Sequence, residues 1–244
     1  MNLLKLNAIY YSTLILGLVS QILFAAFAFI GPFKIFDLGF SFNQTLLFDA
    51  GLSLLFFLQH SILVRKSVKQ SLSNLIPDEF YSVFYSNTSA AALIIMTVFW
   101  QAVPQTIAAA DGVYYWMLRV LFIISIAGFY WGVKSLGSFD PFGTKKIRYL
   151  IYKKELKPLP MTVKGAYRWI RHPLYFFMTL MIWSYPELTI DRMLFNAAFT
   201  IWIIIGTMME ERDLVSCFGD QYRKYQAKVP MIIPYRIPRS TDKF

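Results

Sequence analysis

The chain has 244 residues, 57% hydrophobic and 18% aromatic, with 24 Lys and Arg against 14 Asp and Glu and a formal net charge of +10. Soluble domains average about 45–50% apolar, so this excess excludes an ordinary water-soluble domain and points to a membrane. No nucleic-acid-binding module accompanies the positive charge, so nucleic acid is not an expected partner. The single cysteine, Cys217, excludes an intrachain disulfide and a cysteine metal cluster.

Six apolar runs follow in chain order, each near the length of about 20 residues that a membrane helix needs. They are Tyr10 to Ile30, Thr45 to Val64, about Thr88 to Ala110, Tyr114 to Val133, Trp169 to Pro186 and Met193 to Met209. The first is too long for the core of a signal peptide and is expected to remain as a span. Between runs one and two, and between runs three and four, Lys34 is the only cation; most of the others gather in Arg65 to Lys69, in Lys134 to Arg171 and after Glu211. That alternation predicts six spans with both termini in the cytoplasm, and basic loops drawn to anionic membrane lipid. The expected fold is an all-α polytopic membrane bundle. Residues 1–133 would hold the first four spans, and residues 134–244 a loop, a transmembrane hairpin and an amphipathic tail.

The connectors carry their own signals. In RKSVKQSLSNLIPDEF, the spacing of Val68, Leu72, Leu75 and Ile76 predicts an amphipathic helix lying on the membrane surface and ending at Pro77. Gly128 and Gly132 form a small-xxx-small pair that lets helices approach closely. The segment SLGSFDPFGTKKIRYLIYKKELKPLP is too long for a plain connector, and Tyr149, Leu150, Ile151 and Tyr152 suit an interfacial anchor. Leu214, Phe218, Tyr222 and Tyr225 predict an amphipathic helix that starts as a continuation of the last span, folds back over the cytoplasmic face and is ended by Pro230 and Pro234.

The chemistry gathers in GAYRWIRHPLY, Gly165 to Tyr175, and MEERDL, Met209 to Leu214. Counting outward from a turn near Asp191, Arg171 and His172 come level with Glu210 and Glu211 at one edge of the membrane. Ionisable groups there are costly and usually functional. Pro173 suits a first helical turn, whose amides together with Arg171 make an anion site. Glu210 and Glu211, read as closing the sixth helix, oppose its macrodipole and call for a compensating cation. Such a pairing suits a zwitterionic amino-acid group such as that of S-adenosylmethionine; a plain interhelical ion pair is the competing reading. His60, near one end of the second run, is either a neutral hydrogen-bonded histidine or a group near the reacting atoms. Arg119 is expected to snorkel, and Cys217 to be a small apolar filler near a helix end. The two histidines offer no convincing metal set.

GAYRWIRHPLY, followed by EERDLVSCFGDQYRKY and MIIP, resembles the isoprenylcysteine carboxyl methyltransferase superfamily. The similarity is greatest to its bacterial branch of methanethiol S-methyltransferases and denitrification-associated membrane proteins. FLQHSILVR and SFDPFG also have counterparts there, so the resemblance covers roughly residues 50 to 235. It implies an integral membrane enzyme that moves a methyl group from S-adenosylmethionine to a small thiol such as methanethiol, giving dimethyl sulfide, or else to a prenylcysteine carboxylate or a lipid. By position it implies that Arg171, His172, Tyr175, Glu210 and Glu211 line the cofactor pocket. Gly165 and Tyr167 would shape its entry, and Tyr222 and Tyr225 would cover it. Gln59 and His60 would lie near it, and His172 or His60 would take a thiol proton. Ser138 stands where the bacterial branch carries His. Two other classes compete. A non-enzymatic transport or accessory protein would show midplane polar groups and paired broken helices. A nicotinamide-dependent membrane reductase often, though not always, carries a Gly-rich fingerprint, which is absent here.

Overall fold

The computed structural model describes residues 2–137, 140–153 and 161–238. Among the described residues the protein is all-α apart from one short ribbon, and five helices there are long and apolar enough to cross a membrane. The chain forms two compact units: Met1–Pro104 with Asp140–Pro158, and Gln105–Phe139 with Leu159–Phe244.

The first unit contains α1 (Leu3–Ile30), α2 (Phe42–Leu63), α3 (Lys66–Ser71), α4 (Asp78–Phe99) and α6 (Lys145–Ile151). Their ends follow from local chemistry. Asn2 Oδ1 accepts from the Lys5 amide at 3.0 Å to start α1. Gln44 Oε1 accepts from both the amide and hydroxyl of Ser41 at 2.9 Å, at the start of α2. Pro77 precedes α4, and Asp78 and Glu79 in its first turn complement the helix dipole. Asp78 also pairs with Lys69 and Lys146. In the DPFG stretch Asp140 accepts from the amides of Thr144, 3.0 Å, and Lys145, 2.7 Å, and so caps α6. Helix α4 packs between α1 and α2, and α6 lies against α1 and α4.

The second unit contains β1 (Thr106–Ala109), α5 (Gly112–Leu136), a 3-10 turn (Gly165–Arg168), α7 (Pro173–Trp183), β2 (Glu187–Thr189), α8 (Ile190–Phe218) and α9 (Asp220–Lys228). Strands β1 and β2 pair antiparallel, with Thr106 opposite Thr189 and Ala109 opposite Glu187. The ribbon ties the entry of α5 to the turn between α7 and α8. Beside it, Arg192 is buried, with its guanidinium 4.6 Å from the Tyr185 ring centroid and 5.3 Å from that of Phe195. Arg119 lies 5.0 Å from the Tyr115 ring and 5.6 Å from that of Tyr185.

The long helices are arranged as lipid requires. In α5 the buried residues include Ser125, Gly128 and Gly132, while Tyr114, Trp116, Met117, Val120 and Ile123 are exposed. In α1 the buried set includes Thr13, Gly17 and Ser20, with Ile15, Leu18 and Ile22 outward. Small and weakly polar residues inside with large apolar ones outside is the pattern of helices packed in hydrocarbon. A β-carbon on Gly128 would strike Phe177, and one on Gly132 would meet Leu174, so the pair does set the close approach of α5 to α7. The protein is an integral membrane protein.

Several sequence expectations move. Among the described residues, five long helices and one short apolar one stand where six spans were expected. The fifth run is helical only over the 11 residues of α7, about 16 Å against a hydrocarbon core of about 30 Å. Pro173 sets its start, because a residue before proline avoids the helical region; His172 accordingly adopts φ −124°, ψ 63°. The third run begins ten residues earlier than Thr88, at Asp78, and its helix stops at Phe99; the stretch beyond is extended and feeds β1. Of the expected surface helix after Arg65, only Lys66–Ser71 is helical. Helix α8 runs to Phe218, so Glu210 and Glu211 are interior to it and do not meet its terminal dipole. Gly219, at φ 57°, breaks the expected continuous tail helix into α8 and α9. Cys217 is exposed rather than a filler: it shares the outer side of the last turn of α8 with Arg212, Asp213 and Ser216, while Leu214, Val215 and Phe218 turn inward.

Candidate active site

The site grows from the start of α7. Because Pro173 has no N–H and forces the preceding residues out of the helix, the amides of Arg171 and His172 point sideways. They donate to the carbonyls of Pro230, 2.9 Å, and Met231, 3.0 Å. The tail after α9 is thereby fastened along the mouth of α7. The Arg171 side chain strengthens the latch: its Nη1 donates to the carbonyls of Gln226, 3.0 Å, and Val229.

Its other donors reach across to α8. Nε and Nη2 each donate at 2.9 Å to one oxygen of Glu211, a two-pronged guanidinium–carboxylate pair. His172 Nε2 lies 2.7 Å from Glu211 Oε1, and the Tyr222 hydroxyl donates to the same oxygen at 2.7 Å. Gln226 Nε2 donates to Oε2. Glu211 is therefore a saturated acceptor. An ionised carboxylate only accepts, so it holds a proton on His172 Nε2 and leaves Nδ1 turned toward Glu210, whose Oε2 is 3.7 Å away. Side-chain exposure separates the two acids: 9% for Glu211 and 44% for Glu210. Glu211 organises, and Glu210 remains open.

The aromatic residues complete the surroundings. Tyr175 stacks on His172 with centroids 5.6 Å apart and planes 15° from parallel. The Tyr225 hydroxyl donates to the Tyr167 carbonyl at 2.5 Å. Tyr222, Tyr225 and Val229 form a buried cluster with Met161, Val163, Leu214, Val215 and Phe218 packed against it. Burial pushes the Tyr167, Tyr222 and Tyr225 phenols well above their ordinary range; the Glu210 carboxylate adds to this at Tyr167, and the hydrogen bond to Glu211 at Tyr222. All three stay neutral donors at physiological pH. Gly165, at φ 52°, docks the 3-10 turn on α5, where a β-carbon would collide with Ser135 Oγ; that same oxygen accepts from the Ala166 amide at 3.1 Å.

Of the residues singled out from sequence, the structure brings Arg171, His172, Glu210, Glu211, Tyr175 and Tyr222 together, with Tyr167 and Tyr225 tied just beside them. Gly165 shapes the turn from behind. Gln59 and His60 lie in the other unit, in a polar cluster between α2 and α4. There Gln59 Nε2 donates to Thr88 Oγ1, 2.9 Å, and Ser89 Oγ, 3.2 Å, and the Tyr85 hydroxyl is 3.1 Å from the His60 ring nitrogens. Ser138 lies outside the described residues. Gln226 and the acceptor carbonyls of Val229, Pro230 and Met231 were not foreseen. The four-residue spacing of Tyr222 and Gln226, which places both on one face of α9, was the available signal for the former.

The chain is similar to a methanethiol S-methyltransferase of Crocosphaera subtropica, 31% identical over 78% of this chain and 75% of that protein. It is also similar to a methanethiol S-methyltransferase of Pseudomonas deceptionensis, 32% identical over 84% and 79%. Nurim of Rattus norvegicus is 26% identical over 75% of this chain and 72% of its own. No solved structure matches. The NnrU protein family model matches residues 48–234, a stretch that takes in α4 and every element named at the site, and the chain belongs to that family.

Proposed function

We propose that this protein transfers a methyl group from S-adenosylmethionine to a small thiol, methanethiol being the leading candidate, at the cytoplasmic edge of a bacterial inner membrane. The observation that carries this reading is the division of labour between two neighbouring acids. Glu211 is saturated by its own chain, while Glu210 is half-exposed beside His172.

That donor set fits the proposed cofactor. Glu210 is an open carboxylate for an ammonium group. The positive end of the α7 dipole, at the Pro173–Leu174 start, suits a carboxylate. The stacked faces of Tyr175 and His172 suit a sulfonium. Arg171, named above as a cofactor residue, acts through Glu211 and the tail carbonyls and so holds the site's shape. Tyr222 and Gln226 fix the Glu211 side chain from α9. Tyr167 and Tyr225 tie the 3-10 turn to that same helix.

When bound, S-adenosylmethionine supplies an electrophilic methyl carbon whose bond to sulfur breaks as a thiolate sulfur bonds to it, the electron pair staying on the departing sulfur. The chain's own part is to remove the thiol proton, align the partners and keep water out, since opposite charges cancel along the reaction and a dry site favours it. His172 Nδ1 and His60 are the two candidate proton acceptors. The names of the two bacterial relatives support the thiol as acceptor. A prenylcysteine carboxylate or lipid, which would arrive without needing a base, is the second reading.

The test is transfer of labelled methyl from S-adenosylmethionine by purified protein across methanethiol, longer thiols and a prenylcysteine. Labelled dimethyl sulfide that disappears in one histidine variant supports the proposal and names the base. Thermal protection by a nicotinamide nucleotide, with none from S-adenosylhomocysteine, would favour a reductase instead.

A further inference from the structure

Around the site, several side chains direct their donors to the protein itself. Arg171 serves Glu211 and the carbonyls of Gln226 and Val229, Gln226 and Tyr222 serve Glu211, and Tyr225 serves the Tyr167 carbonyl. Tyr167 differs. Its backbone is held on both sides: the amide donates to the Lys164 carbonyl at 3.1 Å, and the carbonyl accepts from Tyr225. The turn that carries it rests on Ser135 through the Ala166 amide. Yet among the described residues the Tyr167 hydroxyl has no hydrogen-bond partner. Its ring is half-buried. Burial and the nearby Glu210 carboxylate hold the phenol protonated, so it is a donor. A fixed backbone that presents an uncommitted donor next to an open carboxylate leaves one hydrogen bond for a ligand to complete.

The amino-acid head of S-adenosylmethionine offers the matching acceptor. Its ammonium and carboxylate stand on one carbon atom, so the donor that receives the carboxylate must lie close to the acid that receives the ammonium. Tyr167 meets that condition toward Glu210. We propose, resting on the methyl-donor reading above, that the Tyr167 hydroxyl donates a hydrogen bond to the carboxylate of the bound cofactor while Glu210 takes its ammonium. Tyr167 is then a binding residue as well as part of the tie between the 3-10 turn and α9. It shares the carboxylate with the positive end of α7, which begins six residues further on. The pair selects an intact α-amino-acid head: a ligand without the carboxylate keeps the contact with Glu210 and loses the one with Tyr167.

The experiment is calorimetric titration of the detergent-purified full chain with S-adenosylmethionine and with its decarboxylated form, on the parent and on Tyr167→Phe, together with the melting temperature of both proteins without ligand. A hydrogen bond to a charged group is lost in the variant, so it should bind S-adenosylmethionine about tenfold more weakly than the parent does. The decarboxylated form should bind the two proteins equally. The melting temperatures should agree, because the hydroxyl has no partner among the described residues. Unchanged affinity of the variant for S-adenosylmethionine, an equal loss for both ligands, or a lower melting temperature overturns the contact and leaves the cofactor reading standing. Binding of neither ligand by the parent overturns the cofactor reading, and the contact with it.

Discussion

Glu211 accepts from Arg171 twice, and once each from His172, Tyr222 and Gln226, on a side chain that is 9% exposed. Removing one partner of a buried charged pair typically costs about 3–5 kcal/mol, because the other charge is left stranded. Glu211→Gln keeps the shape but removes the charge, so its melting temperature should fall clearly below that of the parent; an unchanged melt would show that Arg171 is held by the tail carbonyls alone. The phenols add a pH signature. Burial holds those of Tyr222 and Tyr225 above their ordinary range. The unfolded chain therefore loses these protons near pH 10 while the folded one keeps them. Stability from these groups is present below about pH 10 and declines as pH rises beyond it. Melting followed by tryptophan fluorescence from pH 8 to 11 should show that decline, and Tyr222→Phe should make it shallower. An equal slope in the variant would assign the alkaline loss to other groups.

Among the elements, α5 and α7 meet through glycine, and the 3-10 turn rests on α5 through Gly165. Gly165→Ala places a β-carbon on Ser135 Oγ at φ 52°, adding collision to a left-handed backbone cost of about 1–2 kcal/mol. Gly128→Leu drives a side chain into Phe177, and overpacking of this kind costs about 1–3 kcal/mol. Both variants should melt earlier than the parent, and retained stability in Gly128→Leu would show that α7 shifts freely against α5. These contacts also explain what was legible beforehand. That Arg171 and His172 come level with Glu210 and Glu211 could be read by counting along the hairpin, but which acid Arg171 takes could not, and the α7 arm is helical over only 11 residues. The small-xxx-small pair could be read because only small residues allow close backbones. The short α7 could not be read from hydropathy, since Trp169 and Ile170 carry the apolar run back past the helix start; the deciding residue was Pro173. The ribbon of β1 and β2 was hidden for the same reason, since TIAA continues an apolar run. The fold-back of the tail helix was legible in its amphipathic period, but the break at Gly219 that makes it, and the Gln226 donor it brings to Glu211, were not.

For the whole molecule, orientation and binding are the two readable properties. The basic segments predict both termini on the cytoplasmic side, and Cys217, the sole cysteine, is exposed on the same segment of α8 as the acids. A membrane-impermeant thiol reagent should label it in inverted membrane vesicles and not in intact spheroplasts; the reverse result would invert the topology. Cofactor binding at this site requires Glu210 to be an open carboxylate beside a fully occupied Glu211. Calorimetric titration of the purified protein with S-adenosylhomocysteine, on the parent and on Glu210→Gln, addresses this most directly. One charge-assisted hydrogen bond is worth about 1.5–3 kcal/mol, so the variant should bind at least about tenfold more weakly while melting at the parent's temperature. No binding by the parent, or equal affinity in the two proteins, would contradict the account.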